Sequence, residues 1–223
     1  MKFKLLHQVF LIFFLLMSIT VFGQKDKRSQ EGKYVQGFII ENDKDTIHGL
    51  IKVEGYELSE VRVKFKRKKV RKNKNKKVKY NRTETYKSND LYGYSFKISE
   101  NNNNAQIIEK WVHYERKRVD EAPRPFASRT VFLERKEEGT INLYLYFVRS
   151  NQGVKLKRYF ILEHSNSGYT QKVTQQNFDK VVKDFVADCS QLINRIGRAD
   201  FTYYNLDRII YSYNRCLVEA SPN

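Results

Sequence analysis

With 223 residues, 40% of them hydrophobic and fifteen each of Tyr and Phe, the chain can build a packed core, which excludes global disorder. Its formal charge of +17 is not spread evenly: Val61–Arg82 holds thirteen Lys or Arg and no acid, and the remainder is nearly neutral. So local an excess bears on partners or solubility rather than on fold.

Met1–Lys4 supplies two lysines ahead of an apolar run, Val9–Phe22, in which only Ser18 and Thr20 are polar. The run falls short of the roughly 20 residues a spanning helix needs. Residues 1–23 are expected to be a signal peptide, cleaved between Gly23 and Gln24. No Cys lies nearby to carry a lipid. The mature chain is therefore expected in the periplasm or outside the cell, with no further transmembrane segment.

Residues 24–168 read as an antiparallel β domain. Tyr34–Ile40 and Thr46–Val53 form a first hairpin around Asn42–Asp45, and Gly37 and Gly49 inside it point to bulges or close backbone approach. Asp43 and Asp45 begin a calcium-loop pattern, but Ile47 stands where the next ligand belongs, so a plain turn is expected. Val61, Val63 and Phe65 alternate with Arg62, Lys64 and Lys66, giving a strand, and Val78 and Tyr80 resume the pattern on the way back. The basic stretch 61–82 is thus expected to be a hairpin with a polycationic tip. Thr85–Asp90 reads as a loop, Leu91–Ile98 and Ile107–Val119 as strands, and 120–128 as a loop broken by Pro123 and Pro125. Thr130–Glu134, Thr140–Val148 and Val154–Leu162 form a meander expected at the sheet's centre.

Residues 169–223 read as a small helical subdomain. Phe178, Val181, Val182, Phe185 and Val186 fall on one helical face. Leu192, Ile193 and Ile196 suggest a short second helix closed by Gly197. Thr202 is placed to cap a third, with Leu206, Ile209, Ile210, Tyr213 and Leu217 buried. The fold class expected is α+β: an antiparallel sheet or open barrel followed by this helical unit.

The two cysteines, Cys189 and Cys216, both lie in the tail. In an exported chain such a pair reads as a disulfide. His48, His113 and His164 are scattered singly, with no metal-ligand spacing. Glu134, Glu137 and Glu138 crowd what reads as a solvated turn. No catalytic motif appears, so no catalytic residue, metal or cofactor is expected and the reading leans away from an enzyme. Asn81-Arg82-Thr83 matches an N-glycosylation acceptor, a short pattern common by chance.

The one chemical anomaly is the basic hairpin. Lys64, Lys66, Arg67, Lys68, Lys69, Arg71, Lys72, Lys74, Lys76 and Lys77 are candidate anion ligands. Outside the cytoplasm their partners are anionic lipid, polysaccharide or acidic protein surfaces, with nucleic acid disfavoured. The alternative is that these lysines only keep a projecting strand from aggregating.

The leader ending Phe22-Gly23-Gln24, the Gly37-Phe-Ile-Ile and Asp45-Thr-Ile-His-Gly49 segments, Asp90-Leu-Tyr-Gly-Tyr94, Gly139-Thr-Ile-Asn-Leu-Tyr144 and the tail Tyr213-Asn-Arg-Cys216 resemble a group of secreted Bacteroidota proteins. The resemblance implies a β-rich domain with a helical C-terminus. The group has no assigned activity, so no functional residue is carried over. The expected function is a non-enzymatic exported protein meeting anionic envelope surfaces. The alternatives are an envelope assembly partner, or an enzyme without a recognisable motif.

Overall fold

The computed structural model describes residues 30–69, 78–101, 107–119, 130–149, 156–198 and 200–220. They form an eleven-stranded antiparallel open sheet followed by a small helical unit. The strands are β1 (Tyr34–Glu41), β2 (Thr46–Lys52), β3 (Arg62–Lys69), β4 (Lys79–Tyr80), β5 (Glu84–Lys87), β6 (Leu91–Asn101), β7 (Ile107–Arg118), β8 (Thr130–Glu137), β9 (Ile141–Arg149), β10 (Leu156–His164) and β11 (Thr170–Val173). Their order is β11-β10-β9-β8-β7-β6-β1-β2-β3-β4, with β5 paired to β3 alongside β4. A helical turn, α1 (Tyr56–Ser59), links β2 to β3. The tail carries α2 (Phe178–Phe185), α3 (Ser190–Ile193) and α4 (Leu206–Ala220).

Three expectations need correction. Glu84–Lys87 is a strand, not a loop: it pairs Arg62–Phe65, and Tyr86 sets its ring 6.4 Å from that of Phe65. Thr170–Val173 is the sheet's edge strand, pairing Phe160–Glu163. The meander β8–β10 exists, but the middle of the sheet is β6 and β7, the longest strands, because β6 returns to pair β1.

That return forces curvature. Only Ser88–Asp90 join β5 to β6, a link reaching at most about 14 Å. In a flat sheet those strands stand four spacings apart, about 19 Å. The sheet is therefore coiled, and its inner face encloses a core of Ile39, Ile51, Val63, Phe65, Tyr94, Phe96, Tyr114 and Phe132. Tyr94 stacks on Tyr114 at 4.6 Å and donates its hydroxyl to Ser59 O at 2.7 Å, fastening α1 to the sheet.

The same face continues along β9 and β10, where the helices cover it. Ile141, Leu143, Leu145, Phe160 and Leu162 pack against Val181, Val182, Phe185, Leu206, Ile209, Ile210 and Tyr213. The period-3.6 apolar faces expected of α2 and, from Leu206 to Tyr213, of α4 are the faces buried, while the Leu217 side chain lies outside the described residues. Gly197 ends the α3 region with φ of +85°, a conformation that strains any residue with a Cβ. Thr202 precedes the last helix in an extended conformation, but its hydroxyl makes no capping bond; its carbonyl accepts from Asn205 N–H instead. Cys189 and Cys216 form a disulfide with Cα atoms 6.7 Å apart, joining the start of α3 to α4.

Glycine serves close approach at Gly49, where an added Cβ would meet the Phe65 ring and Lys66 O. In the Asn42–Asp45 turn, Asp43 Oδ1 accepts the N–H of Asp45 at 3.2 Å. The plain turn is what the chain builds there.

Candidate functional site

The described ends of the basic stretch, 61–69 and 78–82, pair antiparallel: Lys68 faces Tyr80 and Lys69 faces Lys79 across β3 and β4. Its inward residues Val63 and Phe65 are buried, which fixes the register. Near the base the cations are already engaged. Lys64 Nζ lies 3.2 Å from Glu54 Oε1, Arg67 Nη2 3.5 Å from Glu41 Oε1, and Lys66 Nζ 3.9 Å from the centre of the Tyr34 ring. Further out the picture changes. Lys68, Lys69 and Lys79 are exposed, and among the described residues no carboxylate pairs with them. Arg71, Lys72, Lys74, Lys76 and Lys77 lie outside the described residues.

A second site lies on the outer face of the sheet, and the sequence did not disclose it. Register places His48, Phe38, Ser95, His113, Arg135, Tyr144, Ile161 and Lys172 in one file across eight strands, from β2 to β11. Beside it a cleft of about 360 Å³ is lined by Ser95, His113, Glu115, Arg135, Asn142 and Glu163, among others. A register shift where β6 meets β1 puts Leu91 into the core while Tyr92 reaches the cleft. Tyr92 donates to Glu115 Oε1 at 3.0 Å.

The centre of the cleft is a closed polar network. Tyr144 Oη stands 2.9 Å from Glu115 Oε2 and 2.9 Å from Glu163 Oε2. A phenol has one proton, so it donates to one carboxylate at a time. Lys117 Nζ donates to Glu163 at 2.7 and 2.8 Å and lies 3.1 Å from Glu115. Asn142 donates to Glu163 at 3.1 Å, and Arg135 pairs with Glu138 at 2.8 Å.

Burial disfavours the ionised form of Glu163, but the bonds from Lys117, Asn142 and Tyr144 and the Lys117 charge outweigh it, holding its pKa below the usual value. Burial, then the negative charge of Glu115, pushes the Tyr144 hydroxyl far up. Burial and the nearby Arg135 hold His113 below its ordinary pKa, and its Nδ1 lies 2.8 Å from Ser95 Oγ. The two carboxylates sit within about 6 Å of each other, close to the ~5–5.5 Å of retaining glycosidases. A general acid there needs a raised pKa. Glu163 has the opposite, and its oxygens are bound by the protein's own donors.

The three histidines do not converge. His48 lies edge-on to Phe38 at 5.6 Å, His113 lines the cleft, and His164 stacks on Phe185 at 4.5 Å beneath α2. Among the described residues no group of three metal-ligating side chains is assembled. Glu134 and Glu138 part company: Glu134 bonds Tyr114 and Lys136, while Glu138 goes to Arg135. Among the described residues no helix is long and apolar enough to cross a membrane. No family model, curated protein or solved structure matches the chain.

Proposed function

We propose that the chain is an exported, non-enzymatic protein that binds phosphate-bearing envelope surfaces through its cationic hairpin. The observation that carries this reading is the pairing of Lys69 with Lys79 directly across β3 and β4, with Lys68 exposed beside them. Like charges directly opposite on a ladder destabilise it. An external anion relieves that repulsion, whereas the cations nearer the base already have Glu54 and Glu41. The leader-like first 23 residues and the Cys189–Cys216 disulfide both favour an extracytoplasmic site of action. The cleft favours binding over proton transfer, since Glu163 is held ionised and Tyr144 protonated.

The test is co-sedimentation with phosphatidylglycerol-containing vesicles, with a phosphorylated polysaccharide as competitor to separate lipid from glycan phosphate. Each surface cation contributes about 1 kcal/mol near such a membrane, so Lys68→Gln, Lys69→Gln and Lys79→Gln together lower affinity roughly 100-fold at low salt. Added salt abolishes the difference. Unchanged sedimentation of the triple variant sinks the reading.

A second reading rests on position: β4 and β5 form one edge of the sheet. Lysines there block edge-to-edge pairing. On that reading the triple variant aggregates, and wild-type protein ignores the vesicles.

A further inference from the structure

The outer face carries, beside the cleft, a chain of aromatic rings. Starting at the cleft wall, the rings of His113 and Trp111 lie 6.4 Å apart with planes 21° from parallel. Trp111 lies 5.4 Å from Phe38, and Phe38 5.6 Å from His48. The step from Trp111 on β7 to Phe38 on β1 passes over β6, where Ser95 stands opposite both Phe38 and His113. Ser95 is buried and small, and a larger residue there would part the two rings. Trp111 keeps 38% of its surface exposed, Phe38 is half-buried and His48 exposed. These rings lie opposite the helices, on the face away from the main core.

We infer that this face binds a neutral oligosaccharide chain, with Trp111 and Phe38 stacking on the apolar faces of successive sugar rings. The cleft takes the hydroxyl groups of the adjoining sugar. A sugar hydroxyl both donates and accepts, so a site for it needs the two kinds of group interleaved at short range. The cleft interleaves the donors Arg135, Lys117 and Asn142 with the acceptors Glu115, Glu138 and Glu163; these bond one another, and a sugar hydroxyl takes the donor and acceptor capacity left over. Stacking on sugars needs a rigid, partly exposed ring, which Trp111 and Phe38 provide at low entropic cost.

Charge selects a neutral ligand over a polyanion. The cleft sets three carboxylates against two cations, and these pair with one another. A polyanion meets net negative charge here and positive charge at the hairpin. The cleft is also half open and shares His113 with the ring chain, a form suited to an extended ligand rather than an enclosed small molecule.

Trp111 is the chain's only tryptophan, so its fluorescence reports this face without a label. Full-length mature protein is titrated with maltohexaose, cellohexaose, xylohexaose, mannohexaose and chitohexaose, each to 5 mM, following Trp111 emission and calorimetric heat. At least one hexasaccharide is expected to shift the emission to the blue and saturate. Phe38→Ala keeps the reporter and lowers that affinity at least tenfold. Glu138→Gln, at an exposed position, lowers it several-fold. The triple hairpin variant binds the sugar as wild type does, which separates this site from the vesicle-binding one. Three results overturn the inference: silence from all five sugars, wild-type affinity in both Phe38→Ala and Glu138→Gln, or loss of sugar binding in the hairpin variant.

Discussion

The carboxylate of Glu60 accepts the backbone N–H of Phe147 at 2.8 Å, eighty-seven residues further along the chain. Its own carbonyl accepts the N–H of Phe132 at 2.7 Å. β8 and β9 pair from Glu134 and Leu145 toward the hairpin turn, and continuing that register would set Phe132 opposite Phe147. The ladder is open there, and Glu60 bridges the gap with one main-chain and one side-chain acceptor. Glu60→Ala takes this acceptor from the half-buried Phe147 N–H, costing about 1–3 kcal/mol. Glu60→Gln keeps an acceptor and costs less. Urea denaturation of both variants checks the order; equal stability would mean that the bridge carries no weight.

The disulfide closes a separation of 27 residues between α3 and α4. Loop-closure entropy puts its contribution on the order of 3–4 kcal/mol. Reduction, or Cys189→Ser with Cys216→Ser, is therefore expected to lower the urea midpoint markedly. The loss should fall first on the helical unit, where α4 packs against β9. Non-reducing mass spectrometry of thiol-alkylated protein checks the starting point: no label enters before reduction, and two enter after it.

Much of this architecture was legible because strands and helices announce themselves locally. Ile141–Val148 is a run of strand-favouring residues, and β9 buries Ile141, Leu143 and Leu145 on one side and Tyr144 and Tyr146 on the other. The α2 face was readable from Phe178, Val181, Val182 and Phe185, and the disulfide from two cysteines in one tail. The cleft was not legible, because Glu115, Arg135, Tyr144 and Glu163 come from four strands and meet only through register. A faint signal existed in Glu115 and Lys117, polar residues at period two opposite the buried Val112 and Tyr114. The position of Tyr92 depends on a register shift that no local pattern encodes. Of the basic hairpin, the sequence revealed the charge but not that Glu54, Glu41 and Tyr34 engage the cations nearest its base.

Gly49 stands opposite Arg67 on β3 and diagonal to Phe65, whose ring covers it. An aromatic side chain laid over a strand glycine compensates the missing side-chain packing. Gly49→Ala forces a methyl group into that ring, and overpacking of this kind costs about 1–3 kcal/mol. Substituting Phe65 by Leu loses core contacts but removes the ring's share of the clash, leaving the contact with Lys66 O. The double variant is therefore expected to be more stable than the two single losses added together, as a double-mutant cycle would measure. Simple additivity would show that the ring is not what makes Gly49 necessary.

Glu163 ties stability to acid. Burial opposes its charge, yet the bonds from Lys117, Asn142 and Tyr144 hold its folded pKa below the usual value. A carboxylate depressed in this way contributes stability above its unfolded pKa, about 4.3, and that contribution vanishes as pH falls through the folded pKa. Urea midpoints of the wild type are expected to slip from about pH 6.5, where His113 resists the proton it takes up when unfolded, and to decline further below about pH 5 as Glu163 protonates. Glu163→Gln cannot titrate and loses the Lys117 pairing, so at pH 7 it starts lower. Its decline is shallower, because one of the acid-sensitive groups is gone, and the two curves converge at the acid end. Curves that run parallel, with a constant gap from neutral to acid, would show that the carboxylate at the heart of the cleft does not set this limb.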